Sequence, residues 1–176
     1  MDTNAFRHFF GYHFAENRTL WDNYITALTD EQFTQSVGYS HGSVRDQLVH
    51  LMSVDETWFC GLRGAEIPAP LNPADFASRQ AIRTYWDGVE LRMHAYLADL
   101  HDEMLVEKPF ADDEDKDLTV WQVLLQVVNH ATDHRAQMLR LLHDLGVKTV
   151  SQDYIFYVYA NPSTHPASTV APEPRA

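Results

Sequence analysis

Four segments of the chain place apolar side chains at alternating steps of three and four residues, and that rhythm fits amphipathic helices better than any other regular structure. In the first segment Phe6, Phe10, His13, Asn17, Leu20, Tyr24 and Ala27 share one face, until Thr29 and Asp30 interrupt it. The second carries Val44, Leu48, Leu51, Asp55, Trp58 and Leu62. The third carries Ile82, Trp86, Val89, Met93, Tyr96 and Leu100. The fourth runs from Val120 through Leu124, Val127, Ala131, His134, Met138 and Leu141 to Leu145. Four such stripes bury themselves most simply against one another, so the expected fold is an all-α four-helix bundle.

The punctuation agrees with the stripes. Ser43 and Thr119 are suited to cap the second and fourth helices, and Asp46 can close a box with Ser43. Gly64 ends the second helix, and Pro68, Pro70 and Pro73 keep the next stretch out of helix. Gly146 reads as the C-terminal cap of the fourth. Met104 to Phe110 could be extended, and the apolar run Asp153 to Tyr159 fits helix and strand equally. The expected organisation is one bundle domain over residues 1–160, followed by a mobile Pro-rich tail over 161–176.

Composition removes several function classes. The net charge of −12 and the absence of a basic cluster argue against nucleic acid, which is bound by neutralising phosphates. No apolar run approaches a membrane span, and the first ten residues do not have the order of a signal peptide. Cys60 is the only cysteine, so no intrachain disulfide forms, and the cytoplasm is the simplest compartment.

The anomaly lies in the fourth stripe, where His134 takes a place that the rhythm assigns to Leu or Val. His130 lies one turn earlier on the same face, beside Val123 and Val127. Residues four apart on a helix have Cβ atoms roughly 5–6 Å apart. Two imidazoles so placed can converge on one metal ion with bonds of about 2.0–2.1 Å. Spacing alone is weak: ten histidines in 176 residues supply roughly half such a pair by chance. Two buried, hydrogen-bonded histidines would give the same pattern. A third ligand must come from another helix, and His50, at the edge of the second stripe near Val54 and Trp58, leads; a half-exposed histidine at a helix seam is the plainer alternative.

Other polar residues share these faces. His13 and Asn17 interrupt the first stripe one turn apart, and either line a pocket or bond to each other. Gln137 lies on the face of His130 and His134, where it could orient a ligand, touch substrate, or simply mark the boundary. Asp46, one turn before His50, could accept a hydrogen bond from a ligating ring, although capping already accounts for it. His8, His41, His94, His101, His143 and His165 read as surface or terminal residues. Arg135 is expected to point outward to an acidic partner, and Cys60 to point away from the second stripe.

Two segments are similar to the DinB/YfiT-like family of metal-binding four-helix bundles. One is Ser43-Val-Arg-Asp-Gln-Leu-Val-His50-Leu51 followed by Glu56-Thr-Trp58; the other is Asn129-His130-Ala-Thr-Asp-His134-Arg135-Ala-Gln137, with Leu145-Gly146 beyond. A histidine on the second helix with a late H-x-x-x-H-R-x-Q is that family's pattern, and each element stands here in order. The resemblance implies an up-down-down-up bundle and His50, His130 and His134 as three nitrogen ligands of one divalent ion, zinc or nickel. It also implies a homodimer acting on a small-molecule substrate. Characterised relatives include transferases and isomerases that use low-molecular-weight thiols such as bacillithiol or mycothiol.

Three protein ligands leave a position for water or substrate. The chemistry open to such a site is thiol transfer, with coordinated sulfur deprotonated, or hydrolysis by bound water of lowered pKa. A non-enzymatic stress-response or binding role is the third reading. A di-iron carboxylate site is disfavoured because Glu-x-x-His pairs are missing, and a zinc protease because His-Glu-x-x-His is missing.

Overall fold

Helix starts are set by side chains that satisfy the first free backbone amides. Asp2 Oδ1 accepts from the Ala5 amide at 2.8 Å, Ser43 Oγ from Asp46 at 3.1 Å, and Ser78 Oγ from Ala81 at 3.1 Å. Thr29 with Gln32 forms a reciprocal capping box, and the Gln122 side chain accepts the Thr119 amide at 2.9 Å. In a computed structural model of the chain, which describes residues 1–76 and 78–162, these caps open most of six helices. They are α1 (Thr3–Asn23), α2 (Asp30–Thr34), α3 (Val44–Leu62), α4 (Arg79–Asp99), α5 (Val120–Asp144) and α6 (Tyr154–Ala160). No strand occurs among the described residues, and no helix there is long and apolar enough to cross a membrane.

Side-chain pairs between helices give their directions. Arg7 Nε donates to the Leu97 carbonyl, Phe14 packs on His94, and Trp21 meets Trp86, so α1 and α4 are antiparallel. Phe10 meets Phe59 and His13 meets Asp55, so α1 and α3 are antiparallel as well. Tyr85 and Arg92 reach Glu56 while Tyr96 meets Phe59, so α3 and α4 run the same way. Gln47 meets His134 and His50 meets His130, which turns α5 back against α3. The four long helices are therefore ordered up, down, down, up, as expected.

The stripes become the core. Leu48, Leu51, Ile82, Trp86, Met93, Leu124, Val127 and Ala131 are fully buried. Each large apolar side chain removed from water in this way contributes roughly 1.5–3 kcal/mol before entropy is counted. Differences from expectation lie at the edges. The first helix stops at Asn23; a 3-10 turn over Ile25–Ala27 buries Ile25 and then Leu28, leaving Ala27 exposed. Met104 lies in another such turn, Asp102–Val106, where local amide bonds replace the extended backbone anticipated there. The 153–159 segment forms α6, whose Tyr154 and Tyr157 rings pack on Phe9, Tyr12 and His8 of α1. The tail expected from Asn161 lies, from residue 163 onward, outside the described residues, as does His165.

Gly61 shows how tightly α3 meets the chain before α5. A β-carbon there would land on the Phe110 ring. Gly61→Ala is therefore expected to destabilise the protein by about 1–3 kcal/mol through overpacking. Urea denaturation measures it, and an unchanged midpoint would show that Phe110 moves aside freely.

Candidate metal centre

The site arises where α3 and α5 face each other near the start of α3. Antiparallel packing sets residue 50 opposite residue 130 and residue 47 opposite residue 134. His50 Nε2 and His130 Nε2 are 3.2 Å apart. The His134 ring centroid lies 4.6 Å from that of His50 and 4.2 Å from that of His130. A tetrahedral ion with bonds of about 2.0–2.1 Å would hold neighbouring nitrogens roughly 3.3 Å apart, so the 3.2 Å separation suits one edge of such a site. Donor chemistry fits too, since neutral imidazole is the commonest ligand for zinc, nickel and their neighbours.

The rings are held neutral, which is the form that can ligate. Burial pushes His50 down to about 3, and the neighbouring His41, His134 and His130 push in the same direction. Burial also lowers His130 to about 4, with His134 adding to the effect and Asp55 and Asp133 opposing it. His134 is lowered by burial first and then by His41.

Hydrogen bonds orient the outer ring. The Gln47 amide meets His134 Nδ1 at 2.9 Å. The nitrogen of that amide faces the ring and also donates to the His134 carbonyl at 3.3 Å, so the contact fixes how the ring is turned. Gln137 Oε1 lies 3.3 Å from the Gln47 amide nitrogen, and its own nitrogen donates to Asp133 at 2.9 Å. The Ser40 hydroxyl lies against both glutamines. Asp46 has a different place: it accepts from Arg45 Nε at 3.0 Å and follows the Ser43 cap. Gln47, one residue on, is the side chain that reaches His134.

His41 belongs to the cluster although the sequence grouped it with surface histidines. It is exposed, yet its ring stacks on His50 with centroids 3.8 Å apart and planes at 21°. His41, His50 and His134 each offer a nitrogen within 4.8 Å of the other two, so these three could hold a metal ion. Its loop position, outside any helical period, gave no phase to read. Gln47 carries the signal that could have found it, a place one turn before His50 on the same helix.

His13 and Asn17 are fully buried deeper in the bundle and bond to each other at 3.2 Å. His13 Nε2 lies 3.5 Å from Asp55 Oδ2, and both residues are wholly inaccessible. Arg135 is not on the surface as expected. It is buried, donating to Asn17 Oδ1 and Gln152 Oε1 at 2.9 Å and to Thr132 Oγ1 at 3.1 Å, with Tyr12 beneath the guanidinium. Aspartate and arginine in these positions tie α1, α3 and α5 together behind the histidines. Cys60 is buried, with the Arg63 guanidinium at 3.2 Å from its sulfur. Two roomy clefts, about 820 and 870 Å³, open beside Met1, Phe9, Trp121 and Leu125 and share no residue with the histidine cluster.

An all-helical bundle with neutral imidazoles gathered on facing turns defines a class of helical proteins whose histidines could hold one metal ion. The chain belongs to the DinB family, whose model matches residues 1–172. A comparison with curated proteins finds no match.

Two outcomes follow from these contacts. Arg135→Met removes three charge-assisted bonds and leaves Asn17 and Gln152 without their donor; the expected cost is about 3 kcal/mol, read by chemical denaturation. For the metal-free protein, His50 and His130 bind protons less readily folded than unfolded. Stability is therefore full at neutral pH and declines as pH falls through the window from about 6.5 to about 3, where the unfolded chain takes up protons first. Melting temperatures across a pH series test this. The double variant His50→Gln, His130→Gln should show a shallower acid limb, and parallel limbs would contradict the assignment.

Proposed function

We propose that this chain is a metal-dependent transferase in which His50, His130 and His134 hold one divalent cation and a low-molecular-weight thiol is the cosubstrate. The observation that carries the reading is the 3.2 Å approach of His50 Nε2 to His130 Nε2, on rings kept neutral at physiological pH with His134 beside them. The H-x-x-x-H-R-x-Q run from His130 to Gln137 supports it. When bound, a divalent cation such as zinc or nickel supplies Lewis acidity that lowers the proton affinity of a thiol brought to it.

The chain's own side chains do the remaining work. His50 and His130 enter from facing helices, so the bundle core fixes their separation. Gln47 holds the His134 ring by Nδ1, and Gln137 and Ser40 hold Gln47. His130 is partly buried, with its Nδ1 shielded from solvent, and electrostatic interactions gain strength on that side of the ring. A small-molecule electrophile would approach from the side of His41, the exposed ring of the cluster.

His130→Ala and His134→Ala are each expected to abolish stoichiometric metal while leaving the helical circular dichroism signal intact. Elemental analysis of protein purified without a nickel column reads the first, and full retention of metal in both variants would refute the ligand set. Turnover of an electrophile that requires an added bacillithiol-type thiol supports the transferase. Turnover without thiol, lost on chelation, would reassign the site to hydrolysis. No turnover of thiol or ester panels at full metal loading would point to a binding role.

A further inference from the structure

Three helix-borne histidines would leave a tetrahedral ion one open position, and a fourth imidazole, His41, stands against two of them. We propose that His41 is a displaceable fourth nitrogen ligand, carried on a loop, that closes the site until a small thiolate or other compact anion takes its place. The proposal rests on the metal reading above and names how access to that site is regulated.

Placement is the first argument. His41 stacks on His50 at 3.8 Å between centroids, and its centroid is 5.3 Å from that of His134. Its nitrogen joins those of His50 and His134 within a common 4.8 Å. It is the exposed member, so it covers the cluster from the solvent side.

The loop is the second argument. Ser40 takes a left-handed backbone, φ 51°, which residues other than glycine seldom adopt, and Gly42 follows at φ 98°. His41 thus sits between two left-handed residues that bend the chain sharply ahead of the Ser43 cap. Backbone bonds from Gly42 to Tyr39 and from Val37 to Gly42 close the bend. The Ser40 hydroxyl rests on Gln47 and Gln137, the same glutamines that meet at His134. The loop is therefore anchored to the groups that orient a helix-borne ligand, and a change at His41 is felt there.

The third argument is the contrast in support. His50, His130 and His134 are held by α3 and α5, and moving any of them requires moving a packed helix. His41 is held by a loop bend and by ring contacts with His50 and His134, and no helix of its own carries it. Of four nitrogens, it is the one a competing ligand removes at least cost. A compact anion or a thiolate suits the place, because the group to be replaced is a single imidazole nitrogen.

Cobalt(II) and azide test this with no turnover needed. Metal-free protein is loaded with one equivalent of cobalt(II), and azide is titrated while the d–d bands are followed. The wild type should take up cobalt and bind azide weakly. His41→Ala should retain cobalt, change the d–d bands, and bind azide about tenfold more tightly or better, since a ring that occupies the position nine-tenths of the time lowers apparent affinity by that factor. Identical bands and azide affinity in wild type and variant, both at full loading, would overturn the proposal while leaving the metal site standing. Loss of cobalt from His41→Ala as complete as that from His50→Ala would also overturn it, because a fixed ligand is not a displaceable one. Failure of the wild type to bind cobalt would overturn the metal reading, and this proposal with it.

Discussion

The antiparallel seam between α3 and α5 is the constraint on which the histidine cluster depends. Facing residues across it sum to a nearly constant number: 47 with 134, and 50 with 130. A slip of one turn in either helix would change which residue faces His50 and break its pairing with His130. The apolar stripes that flank the seam prevent such a slip. Leu48 and Leu51 on α3, and Val127, Ala131 and Met138 on α5, are fully buried, and shifting the register would expose some of them. Core packing therefore does the positioning, and the histidines are carried by it.

Behind the seam lies a polar belt that apolar packing cannot account for. His13, Asn17, Asp55 and Arg135 are all buried, from three different helices. Groups like these are costly to bury unless they find partners, and a hydrophobic set of equal volume would stabilise as much or more. What the belt adds is directionality. Arg135 must meet Asn17 and Gln152 together, so α1, α5 and the segment before α6 can dock in few ways. Asp55 also bears on His130 electrostatically, opposing the effect of burial on that ring. One carboxylate thus links the belt to the site.

The bundle was legible in the sequence because helical phase survives translation into space. Nearly every stripe residue from Phe6 to Leu141 turned inward, and the directions of the four long helices followed the resemblance. Arg135 is buried although its residue type favours the surface. It stands four residues after Ala131 and three before Met138, both core positions, so its phase pointed inward while its residue type argued for the surface. Phase was the better guide, as it was for Asp55. His41 had no phase, because the bend from Ser40 to Gly42 obeys loop geometry and its aim is decided by two left-handed residues. Gln47 falls between these cases: its place one turn before His50 carries a phase, but an uncharged amide there has no pattern that separates a ligand-orienting role from a boundary one.

Depth orders the cluster from rigid to adjustable. His130 is innermost, its Nδ1 sealed in the bundle; His50 and His134 are half-buried on packed helices; His41 stands in solvent on a bend. Burial carries an energetic cost at His50 and His130, whose rings must remain neutral in a poor solvent for charge. Such an arrangement stores little stability of its own. Clustered imidazoles that refuse protons are a liability to the fold as pH falls, and leucines in their place would pack without that liability. Their presence on facing turns of the α3–α5 seam is not what fold stability alone would select, and it accords with the proposed role of holding a cation.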